Sequence, residues 1–448
     1  MPLILIVFYY VIGIPSNNLF FFTNLLVLIS SFVGMFILPL RSYSLLKMVF
    51  IFVFIFFGVV PLMNEVNNNI IWGKESEFDT LDKVKANIII LAGMFFFVFG
   101  SFLKLNLFDK IVNSLPDIKK INIFFFFIFF IISYVILNKW NFDIKALLFW
   151  STRGEGSYFF TVFDFSKGRS EYLLYSKFIR PMPIILLVIF IYYLKKNSPL
   201  FNSEQKMVNS FVLCILILIS IFLVSPTGIA RWQTATLYIP FLIIFTKLWD
   251  KPYMMQTSLI GGLFIVFPFL DKFRSWDGYD TFNFKIDWSW LKESHFDAYQ
   301  NFVRTIEVDF VTYGSQLKGA LLFFIPRSIW EDKPIGSGSS LAHKMDYVFA
   351  GISMPFIGEG YVNFGLMGSL IFMLFLGILL GNLDRVAWNL KRLNKDCLFL
   401  YYYYFLFGLV FFLMRGDLIN SITFISGMTA SFWMLVLILK FTARIKSF

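Results

Sequence analysis

The chain has 448 residues, of which 58% are hydrophobic and 21% aromatic, with only 15% charged. No soluble domain of this size buries so much apolar side chain, so the composition excludes a water-soluble globule and implies a polytopic membrane protein. The net charge of +11 fits loops that face anionic lipid rather than a nucleic-acid surface, and two cysteines and two histidines are too few for a disulfide framework or a Cys/His metal cluster.

In chain order, apolar runs predict about twelve transmembrane helices, at 3–15, 19–40, 46–63, 86–104, 121–137, 181–195, 208–226, 233–249, 257–270, 358–382, 397–414 and 420–440. The first is short and carries neither a basic leader nor a small-residue cleavage site. Lysine and arginine concentrate in alternate connections: around Arg41 and Lys47, from Lys104 to Lys120, from Lys195 to Lys206, at Lys247 and Lys251, and from Arg385 to Lys395. Placing these on the cytoplasmic side puts both termini there as well.

The organisation expected is therefore nine transmembrane helices over 1–270 with an external loop at 138–180, a large external (periplasmic) loop at 271–357, and three further helices over 358–448. No cytoplasmic connection approaches the ~100 residues of a nucleotide-binding domain, so any chemistry is expected outside. Within the large loop, Phe296, Tyr299, Val303, Ile306 and Phe310 recur at helical spacing and predict an amphipathic helix on the membrane surface or roofing a cavity. The run LKGALLFFIP that follows is too short to span and predicts a buried or re-entrant helix stopped by Pro326.

Four external features place ionisable groups at the mouths of spans: TGIARWQ around Arg231, IPRSIWEDKP around Arg327, GEGYVNFG around Glu359 and MRGDL around Arg415. A guanidinium is a planar fork of donors suited to phosphate, so the three arginines are candidate ligands of a pyrophosphate. An arginine such as Arg231 equally serves as an interfacial anchor. Glu359 is a candidate general base, or else an acid that caps a helix or pairs with a cation. His343 is a second candidate base, and Trp330 and Tyr361 are candidate sugar-stacking residues or ordinary belt aromatics. No glycine-rich nucleotide loop, HExxH or Asp-x-Asp pair occurs, so no cofactor and no metal is expected. The first external connection, PSNN, lacks the acid that many membrane oligosaccharyl and mannosyl transferases place there.

FFIPRSIWEDKP, the Gly/Ser run after it and IGEGYVNFGLMGSL together resemble the bacterial oligosaccharide repeat-unit polymerases, including the O-antigen polymerases, and TGIAR and RGD are similar to further features of that family. Gly338 follows Arg327 in an Arg-x10-Gly spacing similar to one found in some members, and neither Arg153 nor Arg180 repeats it. The resemblance implies an all-α membrane protein like the C-type membrane glycosyltransferases, in the bacterial inner membrane with its active site facing the periplasm. It implies transfer of a growing glycan from undecaprenyl pyrophosphate onto the next lipid-linked repeat unit during lipopolysaccharide or related surface polysaccharide biosynthesis. Partners implied are those lipid-linked glycans, membrane lipid, a chain-length regulator and a flippase. Catalysis is expected from Glu359, Arg327 and His343, pyrophosphate binding from Arg231, Arg327 and Arg415, and sugar binding from Trp330 and Tyr361. Alternatives are an O-antigen ligase, for which His343 would be central, and a flippase of lipid-linked oligosaccharides.

Overall fold

The computed structural model describes residues 18–37, 41–72, 78–118, 120–148, 170–266 and 293–445. Among them every regular element is helical and none is a strand. Eight helices are long and apolar enough to cross a membrane: Leu19–Phe36, Leu45–Val66, Thr80–Phe102, Tyr172–Leu200, Ser203–Leu223, Phe356–Arg392, Leu398–Arg415 and Leu418–Thr442. By helix length and hydropathy this is a multi-pass integral membrane protein.

These eight coincide with eight of the twelve expected spans, and the other four have identifiable fates. The run 3–15 lies outside the described residues, as do 149–169 of the expected loop 138–180, with Arg153, and the first part, 271–292, of the large one. The run 121–137 forms a helix, Ile123–Lys139, of 17 residues, and 257–270 becomes the short helix Met254–Val266. The run 233–249 is interrupted. Its helix Arg231–Phe241 contains Pro240, continues as a π-turn over Leu242–Thr246 and stops at Lys247, whose φ of 50° is left-handed. Proline removes a ladder donor and crowds the preceding turn, so hydropathy alone overestimates the regular helix here.

The chain folds as two compact units: Met1–Leu105 with Asp287–Asp384 and Val410–Ile422, and Asn106–Ile286 with Arg385–Leu409 and Thr423–Phe448. In the first, Leu45–Val66 is the central helix, buried continuously from Leu45 to Phe57. Its π-turn, Val53–Val59, leaves the Phe57 carbonyl to accept from Asn24 Nδ2 at 2.9 Å. Thr80–Phe102 and Phe356–Arg392 pack through glycine. A Cβ on Gly377 would stand 2.0 Å from the Phe97 carbonyl oxygen, and one on Gly100 2.3 Å from that of Leu374. Such backbone approach is how helices associate in lipid, where no hydrophobic force acts between them. Near the end of the same long helix, Asp384 accepts from the Leu45 and Leu46 amides at 2.8 and 3.2 Å and caps the central helix. Asn382 ties off Thr80–Phe102 by accepting from Leu105 N and donating to Leu103 O.

In the second unit, Ile123–Lys139 and Tyr172–Leu200 run side by side in opposite directions. Phe125 stacks on Phe190 with centroids 5.5 Å apart, and Trp140 Nε1 donates to the Tyr175 hydroxyl at 2.7 Å. Ser203–Leu223 is mostly exposed, as expected of a lipid-facing helix.

The helix expected from the 296–310 periodicity is Ala298–Glu307, but its surroundings differ from the expectation. Every residue from Ala298 to Ile306 is buried. The reason is polar as well as apolar. Gln300 accepts from Ile71 N and donates to Asn69 O, Tyr299 donates to Asn87 Oδ1, and Asn301 donates to Ser353 O. The predicted polar face thus meets protein backbone and amide side chains rather than water.

Candidate functional site

The GEGYVNFG segment sets the geometry of the first unit. Phe356–Arg392 is not one continuous rod, because Phe364 (φ −146°, ψ 27°) and Gly365 (φ 62°, ψ −150°) leave helical geometry. The carbonyls freed by the break are taken by the large loop. Val362 O accepts from Thr312 N at 2.7 Å and Asn363 O from Gly314 N at 2.9 Å. Asn363 Oδ1 accepts from Leu317 N at 2.7 Å, which caps the short helix Ser315–Leu321, and its Nδ2 donates back to Glu359 O. The Val362 and Asn363 carbonyls that the break would otherwise strand are therefore paired by the loop.

Glu359 lies on the short arm before this break and is wholly buried. Its Oε1 accepts from the Leu418 amide at 2.8 Å and its Oε2 from the Ser337 hydroxyl at 2.7 Å. Leu418 opens the last helix, and Asp417 caps the same end by accepting from Asn420 N at 2.9 Å. Two carboxylates thus attend one helix N-terminus, where the unpaired amides and the macrodipole favour negative charge. Gly336 makes the close approach feasible, since a Cβ there would stand 2.6 Å from Asp417 Oδ2. The Gly/Ser run therefore serves close packing. Ser337 and Gly338 are buried at the start of the helix Ser337–Lys344.

Arg415, one turn of chain earlier, is held on one side only. Its Nη2 donates to Asp297 Oδ1 at 3.4 Å and to Ser294 O at 3.2 Å, while its buried Nε has no partner. Asp297 is itself 1% exposed and accepts at both oxygens: from Trp72 Nε1 at 2.9 Å and Ser353 N at 3.1 Å on Oδ2, and from the Ser353 hydroxyl on Oδ1. Arg415 is thus positioned by an acid that is itself fixed by three other donors.

Arg327 is exposed, and its guanidinium donates to the carbonyls of Lys333 and Pro334. Lys333 reciprocates, with Nζ donating to Phe323 O at 2.6 Å and Ile325 O at 2.9 Å. Partial burial, and then the neighbouring Arg327 charge, pull the Lys333 pKa below the ordinary lysine value. IPRSIWEDKP is in this way a loop clasped by two cations on backbone carbonyls. Trp330 lies under Lys318, whose Nζ is 5.1 Å from the ring centroid, and the Tyr361 hydroxyl donates to Asp309 at 3.2 Å. His343 is exposed in the last turn of Ser337–Lys344.

The structure therefore places Arg327, Trp330, His343, Glu359, Tyr361 and Arg415 in the first unit, and Arg231, at the start of its interrupted helix, in the second. Of these, it joins Glu359 to the Gly/Ser run and to the RGD turn through direct hydrogen bonds. Sequence reasoning missed Asp297, Ser337 and Asp417. Asp297 follows Phe296 at the buried edge of the amphipathic pattern, and an acid at the core side of such a pattern was the available signal.

Comparisons with family models, with curated proteins and with solved structures found no match to this chain.

Proposed function

We propose that the protein is a glycosyltransferase that polymerises polyprenyl-pyrophosphate-linked oligosaccharide repeat units at the outer face of the bacterial inner membrane, in a chain that crosses the membrane about twelve times. The observation that carries the reading is the junction at Glu359. Three segments that resemble the repeat-unit polymerases, the Pro-Arg to Gly/Ser stretch, GEGYVNFG and RGD, are distant in sequence and meet on one carboxylate through Ser337 and Leu418.

In this reaction an acceptor sugar hydroxyl attacks the anomeric carbon of the growing chain. The bond from that carbon to the pyrophosphate oxygen breaks, its electron pair leaves on the lipid pyrophosphate, and the hydroxyl proton passes to a base. Pyrophosphate is already a good leaving group, so the step needs cations on the phosphate oxygens and one base. Arg415 suits the first role, with Nη2 anchored and Nε uncommitted, and Arg327 stands exposed on the clasped loop. Glu359 supplies the base or orients the acceptor, and for either role its bond from Ser337 is exchanged for one from the acceptor hydroxyl. His343 is the alternative base, Trp330 and Tyr361 are the sugar contacts, and Arg231 is assigned to pyrophosphate by the sequence resemblance.

The test is polymerisation by purified protein on lipid-linked repeat units, without nucleotide sugar and with a chelator present. Chain extension is expected, with Arg415→Ala and Arg327→Ala inserted in the membrane but unable to extend. A requirement for nucleotide sugar, or full-length polymer from both variants, overturns the reading.

A further inference from the structure

We propose that the stretch from Tyr313 to Ile335 is seated in the lipid interface, with Tyr313, Leu321, Phe324 and Ile329 inserted at the top of the acyl chains and Lys318 and Arg327 at the level of the lipid phosphates. This is independent of the enzymatic reading.

The four apolar side chains are 87%, 63%, 67% and 77% exposed, within a stretch that is otherwise anchored. In Ser315–Leu321, Gln316, Gly319 and Ala320 face inward and Lys318 and Leu321 face out. The inward face rests on the first residues of two membrane-crossing helices. Leu317 N is held by Asn363, a Cβ on Gly319 would lie 3.1 Å from Ile419 Cδ1, and one on Gly314 3.0 Å from the Phe364 ring. Phe364 leads into Leu366 and Met367, themselves 50% and 63% exposed at the start of the long arm, as lipid-facing residues are. The apolar patch is therefore continuous with the lipid-facing surface of that helix, and lies where those helices leave the bilayer.

The cations match that depth. Lys318 lies over Trp330, the pairing of ammonium and indole typical of a headgroup zone, and Arg327 is exposed three residues from Phe324. The Arg327 and Lys333 clasps hold the loop backbone, so insertion does not require the backbone to give up hydrogen bonds. Glu331 and Asp332, both exposed, mark the part of the loop left in water. Leaving four such side chains in water forgoes the favourable transfer of their apolar surface out of it.

The experiment uses nanodiscs containing one copy of the full chain. In a background lacking Cys214 and Cys397, Phe324→Cys, Ile329→Cys and Asp332→Cys are each labelled with an environment-sensitive fluorophore. Labels at 324 and 329 are expected to emit to the blue of the label at 332, to be quenched by shallow spin-labelled lipid and to resist aqueous iodide. Equal iodide access at all three positions overturns the proposal, as does shielding that appears only when two copies share a disc. On the unmodified chain, a phospholipid with a diazirine high on its acyl chain is expected to cross-link to peptides covering Leu321–Ile329. Cross-links confined to the spans overturn the proposal without reliance on any variant.

Discussion

At the scale of single residues, Glu359 is defined by what it accepts. Glu359→Ala removes the acceptor of the buried Leu418 amide and of the Ser337 hydroxyl, and an unsatisfied buried donor costs roughly 1–3 kcal/mol. Glu359→Gln keeps an oxygen for Leu418 N, and its amide can donate to the Ser337 hydroxyl, which accepts as readily as it donates. The expected outcome is an unfolding midpoint in detergent that falls clearly for Ala and little for Gln. Under the proposed reaction with Glu359 as the base, chain extension is lost in both, because neither side chain takes a proton. Equal midpoints for the two variants would show that the Leu418 bond contributes nothing. The need for an acid here was legible in GEG beside a span. Its partner Ser337 was not, because a serine in a Gly/Ser run gives no local sign that a carboxylate 22 residues away closes on it.

The elements show where hydropathy reads well and where it fails. Apolar windows located Leu45–Val66 and Leu418–Thr442 to within a few residues, since burial in lipid or protein depends on the sum of side chains. The same windows ran 358–382 straight through NFG, because the break there comes from backbone carbonyls captured by Thr312 and Gly314, which no local average contains. Gly365 and Gly377 on this helix are both required, for different physical reasons. A methyl on Gly365 would meet nothing within 4 Å, yet its φ of 62° with ψ of −150° lies outside the left-handed basin that asparagine tolerates. Gly365→Ala and Gly365→Asn are therefore both expected to destabilise, by about 1–3 kcal/mol of backbone strain. Gly377 is ordinary helix, and its alanine variant fails by contact with Phe97 O. Gly377→Ala should be partly relieved by any change that lets the two helices separate, and Gly365→Ala should not. Thermal unfolding of the three variants checks this, and an Asn variant as stable as the parent would remove the strain argument.

For the whole molecule, the short helix Ile123–Lys139 decides how the charges are read. At ~1.5 Å per residue its 17 residues reach about 25 Å, a little under a ~30 Å hydrocarbon core. If it did not cross, the connection at Leu200, flanked by Lys195, Lys196 and Lys206, would fall outside while the lysines before Ile123 stayed inside. Positive charge would then be split between the two faces, against the bias that orients membrane proteins. Packing gives the same answer without reference to charge. Trp140 meets Tyr175 at one end of the helix pair, Phe125 meets Phe190 towards the other, and beyond it Asp117 accepts from Tyr192 and pairs with Lys196. The short helix and its chain flanks therefore traverse the same depth as the Tyr172–Leu200 span. Leu200, which is 79% exposed, offers a test in a background without the native cysteines. Leu200→Cys is expected to react with a membrane-impermeant maleimide in inverted vesicles and not in intact cells. Lys251→Cys should behave identically if Arg231–Phe241 with its π-turn and Met254–Val266 cross as a pair. Labelling of Leu200→Cys from outside would reverse the orientation of every later segment and carry the Glu359 junction to the cytoplasmic face, against the reaction proposed for the outer one.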